Sequence, residues 1–204
     1  HQVPKTGQHI RLKGNELSQG QVVLRKGTKL GPLQLGLLAT LGIESVAVFR
    51  QVRVGVLSTG DELKQPGACL AAGELYDSNR PMLLAVCQRL GLSVVDLGWV
   101  GDDADALRQR LLSAAMQVDV IISSGGVSVG HADFTRQVFS ELGSIDFWQV
   151  AVKPGKPFAF GWLTPAAQNH TPVWLFGLPG NPVSAALTFE QLVVPALQYL
   201  SGQT

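Results

Sequence analysis

From Val52 onward the chain alternates short apolar, β-branched runs with helical patterns, and this alternation constrains the fold more than any other feature of the sequence. Strand patterns fall at Val52–Ser58, Leu92–Leu97 and Val118–Ser123. Helical patterns separate them, one from Ser78-Asn79-Arg80-Pro81 to Gly91 and one from Asp103 to about Gln117. A helix from Asp133 to Leu142, strands at Ile145–Val150, Phe158–Trp162 and Val173–Leu178, and a last helix from Val183 to about Leu200 complete the series. Strands that alternate with helices bury both faces of a sheet, so the expected fold is a three-layer α/β/α sandwich with a mostly parallel sheet. Thr164–Pro172 is read as a hairpin tip without chemistry.

Residues 1–51 have a different texture. His9-Ile10-Arg11 and Gln21-Val22-Val23-Leu24 alternate like short strands around Gly14-Asn15. Pro32 then opens a helix with Leu33, Leu37, Leu38 and Leu41 on one face, and Gly42 ends it. The stretch is too short for a full core, and the chain starts on His1 in mid-pattern. The expectation is therefore a partial N-terminal region, 1–51, ahead of an α/β domain, 52–204.

Charge and composition remove several classes of function. Lys+Arg 16 against Asp+Glu 15 gives a net charge of +1, with no surplus to neutralise a nucleic-acid backbone. Every apolar run is broken by Gly, Pro or a charge before the roughly 18 residues a membrane helix needs. Two cysteines without metal-ligand spacing, Cys69 and Cys87, point to a reducing cytosol. Glycine supplies 23 of 204 residues, about 11% against a usual 7% or so. A chain rich in glycine can bind through its backbone.

The chemistry is expected in the loops that leave the strands, because open α/β sheets bind ligands beyond their carboxyl ends. Three such loops carry Thr59-Gly60-Asp61-Glu62, Ser124-Gly125-Gly126-Val127-Ser128-Val129-Gly130 and Pro179-Gly180-Asn181-Pro182. Small residues let peptide N–H groups approach an anion, so the second loop reads either as a phosphate cradle or as a tight turn; no Gly-Lys-Ser/Thr closes it as a Walker loop would. Lys153-Pro154-Gly155-Lys156-Pro157 adds two cations on a stiff backbone, as anion ligands or as solvated surface. Asp61, Glu62, Asp102, Asp103 and Asp133 are hard oxygen donors suited to Mg²⁺, while Asp103 and Asp133 also sit where helix caps belong. Asn181 reads equally as a helix cap or as a ligand amide.

Together with Asp77-Ser78-Asn79, these motifs occur in the order and near spacing of the molybdopterin molybdenumtransferase family, which the whole chain resembles. Gephyrin carries a counterpart domain. The resemblance implies insertion of molybdenum from molybdate into adenylylated molybdopterin with release of AMP and with Mg²⁺ assisting. It implies that Glu62, Asp102 and Asp133 act at the metal and in catalysis, and that the Ser124–Gly130 amides hold a phosphate. Lys153 and Lys156 would bind anions, and Asn181 would lie in the pterin pocket, with Thr59, Gly60, Asp61, Pro179, Gly180 and Pro182 completing the ligand loops. A cytoplasmic homodimer is also implied, supplied by the enzyme of the pathway that makes molybdopterin. The chain departs from the family at Gln149, where many members have Lys, and it lacks most of the N-terminal region and the C-terminal β-domain. Other readings consistent with these motifs are a gephyrin-like scaffold, a molybdopterin adenylyltransferase and a pyridine-nucleotide deamidase.

Overall fold

The structure is a computed structural model, and it describes residue 3 and residues 5–127, 133–164 and 171–203, without the side chains of Asp133, Phe147 and Trp148. Two compact units divide the chain, one ending at Ala47 and the other running Val48–Gly202. In the first, helix α1 is Pro32–Thr40, and the Gln34 side chain accepts from the Gly31 N–H at 3.1 Å. Gly42 stops the helix in the left-handed region at φ 71°. The short strands expected at His9–Arg11 and Gln21–Leu24 are absent; turns closed by Ile10 N–H to Gly7 O and Gln21 N–H to Ser18 O occupy these segments. Two isolated strands without a sheet or helix to cover them are marginal in water. The expected leucine face is likewise only partly used, since Leu38 is buried while Leu33 and Leu41 are exposed. So short a unit buries too little surface to cover them all.

In the second unit the strands are β1 (Arg53–Thr59), β4 (Ser93–Val100), β5 (Val120–Ser124), β6 (Gly143–Gln149), β7 (Pro157–Leu163) and β8 (Val173–Leu178). They form one sheet in the order β4-β1-β5-β8-β7-β6. Strands β4, β1, β5 and β8 pair in parallel, while β7 runs antiparallel to both β8 and β6. Every strand except β7 therefore points the same way. Helices α2 (Asn79–Arg89), α5 (Pro182–Thr188) and α6 (Val194–Leu200) cover one face, and α3 (Ala104–Ala115) and α4 (Asp133–Leu142) the other.

Side-chain alternation in the strands sorts the core into two layers. Val54, Val56, Val120 and Ile122 face Leu83, Cys87, Phe189 and Leu197, whereas Leu57 and Ile121 face Leu107, Leu111, Val138 and Phe139. The three-layer sandwich is thus as expected. Three details depart from the sequence reading. The last helix is interrupted by a π turn at Phe189–Val193, because Pro195 has no N–H to continue the ladder. Leu63–Lys64 (β2) and Leu75–Tyr76 (β3) form a two-stranded parallel pair. Strand β4 runs three residues past Leu97, to Val100. The hairpin joining β7 to β8 pairs Leu163 with Val173; its tip, residues 165–170, lies outside the described residues.

Candidate functional site

The strand directions bring five connections to one edge of the sheet: those leaving β1, β4, β5 and β8, and the β6–β7 loop that holds Lys153 and Lys156. Chain direction across the sheet reverses between β1, whose helix leads outward to β4, and β5 on its other side. Such a switch point is where open α/β sheets take ligands. Buried polar side chains gather there, namely the hydroxyls of Ser58, Thr59, Ser123, Ser124 and Thr135 and the amide of Asn79.

Gly125 and Gly126 turn the chain out of β5 with φ of 89° and 67°, values that only glycine adopts at little cost. A Cβ at Gly125 would lie 2.5 Å from the Thr59 carbonyl oxygen, and one at Gly126 would lie 2.7 Å from Thr135 Oγ1. The Gly125 N–H donates to Leu178 O at 3.1 Å. That amide is committed to tying β5 to β8, so the Gly125 identity follows from its backbone angle and from crowding rather than from an anion contact. Ser128 and Gly130, expected in the same cradle, lie outside the described residues.

Asn181 caps α5, its side-chain oxygen accepting from Val183 N–H at 3.1 Å and Ser184 N–H at 3.2 Å. The cap reading of its oxygen is therefore correct, and Pro182 follows at the first helical position. Gly180 abuts Gly125, with only the Gly125 Cα, among the described residues, within 4 Å of where a Gly180 Cβ would stand. The Pro179–Pro182 loop thus packs directly on the glycine turn. Gly155, between the two lysines, sits against Thr188 of α5, whose hydroxyl donates to the Gly155 carbonyl at 3.4 Å. Lys153, Lys156 and Gln149 are exposed.

The carboxylates gather after β1 and β4. Asp61 accepts from Asp102 N–H at 2.9 Å, and Gly60 N–H donates to Val100 O at 3.0 Å, which ties the two loops together. Glu62 folds its carboxylate over Gly60, into the space a Cβ would take. Asp61, Glu62 and Asp102 are all exposed. Asp103 is a helix cap, accepting from Asp105 and Ala106 N–H at 2.9 Å each. Asp133 begins α4 beyond the glycine loop, and its side chain lies outside the described residues. Among the described residues no three metal-ligating side chains converge. Glu62 and Asp102 are nonetheless hard oxygen donors on neighbouring strand ends, which suits Mg²⁺, an ion usually held by one or two carboxylates together with ligand phosphate and water.

Behind the loops lies a polar network that the sequence reading quoted only as a motif. Asp77, 3% exposed, accepts from the Ser58 hydroxyl at 3.0 Å and from Arg80 Nε at 2.8 Å. Arg80 also reaches Asp96 at 2.5 Å. Burial alone would lower the Arg80 pKa, but its bonds to Asp96 and Asp77 outweigh that and raise it. The guanidinium therefore stays charged and fixes the start of α2 against β1 and β4. Asn79, the first residue of α2, donates to Ser124 Oγ and to Gly180 O at 2.7 Å each. Nothing in the local sequence signals this reach; only the Asp-Ser-Asn triplet marks the place.

Known proteins resemble the chain in sequence and in fold. Residues 55–199 match the family model described as "Probable molybdopterin binding domain", and residues 1–42 match "MoeA N-terminal region (domain I and II)". The chain is 48% identical over 202 residues to a molybdopterin molybdenumtransferase of Haemophilus influenzae, covering 99% of this chain and 48% of that protein. It is 36% identical to gephyrin of Dictyostelium discoideum, covering 97% of this chain and 30% of that one. A crystal structure of a molybdopterin biosynthesis MoeA protein from Pyrococcus horikosii superposes with a TM-score of 0.76 at 36% identity, over 92% of this chain and 45% of that chain. The chain spans about half the length of the Haemophilus relative.

Proposed function

The chain belongs to the family of molybdopterin-binding domains, and on that premise we propose that it is the molybdopterin-binding part of a molybdopterin molybdenumtransferase. Its reaction would take adenylylated molybdopterin and molybdate, leave molybdenum on the dithiolene sulfurs and release AMP. The observation that carries the reading is the meeting of five connections at one sheet edge, with buried hydroxyls at the centre, two lysines on one flank and exposed carboxylates on the other. A ligand with an anionic phosphate end and a polar heterocycle finds complementary groups along that line.

In this reading Lys153, Lys156 and the glycine turn hold the phosphate, and the Pro179–Pro182 loop faces the pterin. Glu62, Asp102 and Asp133 would hold Mg²⁺, which when bound would neutralise charge on the phosphate oxygens. The residues themselves orient the ligand: the left-handed Gly125–Gly126 turn carries the chain out of β5 at the sheet edge, and the rigid Pro-Gly-Asn-Pro loop loses little entropy on ordering. The same reading places the complete protein in the cytosol as a homodimer, receiving its substrate from the enzyme that makes it. Cys69 and Cys87, both free thiols, are consistent with a reducing compartment.

The test uses the complete enzyme. Glu62→Gln, Asp102→Asn and Asp133→Asn should each lower Mg²⁺-dependent molybdenum insertion at least tenfold, and the first two should leave the thermal midpoint within about 2 °C, since an exposed acid contributes little to stability. Full insertion activity in all three variants would remove the metal role. Loss of activity in Asp133→Ala with full activity in Asp133→Asn would make that residue a cap instead.

A further inference from the structure

Asn79 joins two loops that are far apart in sequence, reaching Ser124 across 45 positions and Gly180 across 101. The Gly180 carbonyl can only accept, so the side chain must turn its nitrogen toward it, and this fixes the amide orientation. Both amide hydrogens are then used, one on Gly180 O and one on Ser124 Oγ. Its own oxygen is left buried, with no partner among the described residues. Native proteins keep few such atoms, and each calls for a reason. Here the reason is chemical. A short side chain with two N–H donors on one atom must be a carboxamide, and the orphaned oxygen comes with it.

The bond also fixes the polarity of Ser124. Its oxygen accepts from Asn79, so its proton is left to donate, and the residue is 2% exposed beside the Gly125 turn. Thr59 approaches the same point from β1, its hydroxyl 3.5 Å from the Ser124 carbonyl. We propose that Asn79 is a positioning residue that locks the Gly125–Gly126 turn and the Pro179–Pro182 loop into one cradle and turns the Ser124 hydroxyl into a donor for an anionic oxygen of the ligand. This deepens the proposed function and rests on it for the identity of the ligand.

A double-mutant cycle on the full chain tests it, with Asn79→Asp, Ser124→Ala and the pair titrated with molybdopterin and, separately, with inorganic phosphate. Aspartate keeps the shape but offers no N–H to either partner. Each single change should weaken both ligands about tenfold, the scale of one bond to a charged group. The double variant should lose less than threefold more than either single, because Ser124 without Asn79 no longer holds its proton in place. Losses that multiply to about a hundredfold overturn the proposal, as does wild-type affinity in Asn79→Asp. If Asn79→Asp fails to fold, Ser124→Ala decides alone: a tenfold loss with an unmoved thermal midpoint supports the donor, and unchanged affinity refutes it. Wild-type chain that binds phosphate but not molybdopterin refutes the functional reading and leaves the cycle to be read on phosphate. Chain that binds neither refutes both.

Discussion

Replacing Gly125 by alanine tests whether backbone geometry builds the ligand turn. The residue has φ of 89°, and the new methyl would stand 2.5 Å from the Thr59 carbonyl oxygen. A left-handed conformation costs an L-residue about 1–2 kcal/mol. Overpacking adds about 1–3 kcal/mol, and it cannot be relieved by a rotamer change, because the obstacle is the backbone of a central strand. Gly125→Ala should therefore lose about 2–5 kcal/mol in urea unfolding followed by tryptophan fluorescence, with an unchanged m-value. Gly180→Ala is the control, since among the described residues its methyl would meet only the Gly125 Cα, at 3.9 Å. It should be neutral or gain about 0.4–1 kcal/mol from a stiffer unfolded chain. A Gly125→Ala variant within about 0.5 kcal/mol of wild type would refute the reasoning.

Three further outcomes follow from other groups. Cys69 is exposed while Cys87 is buried, and burial raises the Cys87 thiol to about 12. At pH 8 a thiol reagent should therefore label one cysteine in the native chain and both in denaturant, and rapid labelling of both in the native chain would contradict the packing of α2. Burial would raise Asp119, but its bonds to Arg50 and Arg53 prevail and hold it below the usual carboxylate range. A depressed carboxylate stabilises the fold above its unfolded pKa of roughly 3.9 and loses that contribution as the pH falls through its folded value. Asp119→Asn should be less stable by about 1 kcal/mol at pH 7, with the gap narrowing progressively as the pH falls below about 4 in acid titrations; a gap that stays constant from pH 7 to the acid end of the titration would locate the effect elsewhere. Lys153→Ala and Lys156→Ala should each weaken molybdopterin binding by about 1–3 kcal/mol, less at high salt, and Gln149→Lys should tighten it. Calorimetry at two ionic strengths that finds both alanine variants unchanged would return the lysines to solvated surface.

The sandwich and the edge that carries the loops were legible because period-2 apolar runs, caps and glycines at strand ends each act locally. Pro32, Gly42, Asp103 and Asn181 do in the fold what their positions announce. The β2–β3 pair was not legible, since two-residue strands have no period and the pairing of Leu63 with Leu75 depends on a loop closing over Glu62. The N-terminal segments alternate like strands but have no sheet to join, so the pattern misleads there. The π turn near Pro195 hides in a continuous apolar helix pattern. At the site, the Gly125 amide looked available to an anion, yet the neighbouring strand β8 takes it through Leu178 O. Asn79 joins residues that sequence order keeps apart, and only the folded sheet brings them within 2.7 Å.

The central claim is that the loops at the carboxyl edge of the sheet bind molybdopterin. Titrating isotope-labelled chain with molybdopterin and following backbone amide resonances addresses it residue by residue. The account predicts saturable shifts concentrated at Thr59–Glu62, Ser124–Gly126, Lys153, Lys156, Gly180 and Asn181. A cavity of about 550 Å³ at the opposite edge, lined by Phe49, Arg53, Met116, Asp119 and Trp174, serves as the internal comparison. Shifts confined to that cavity, or none at saturating ligand, would contradict the account.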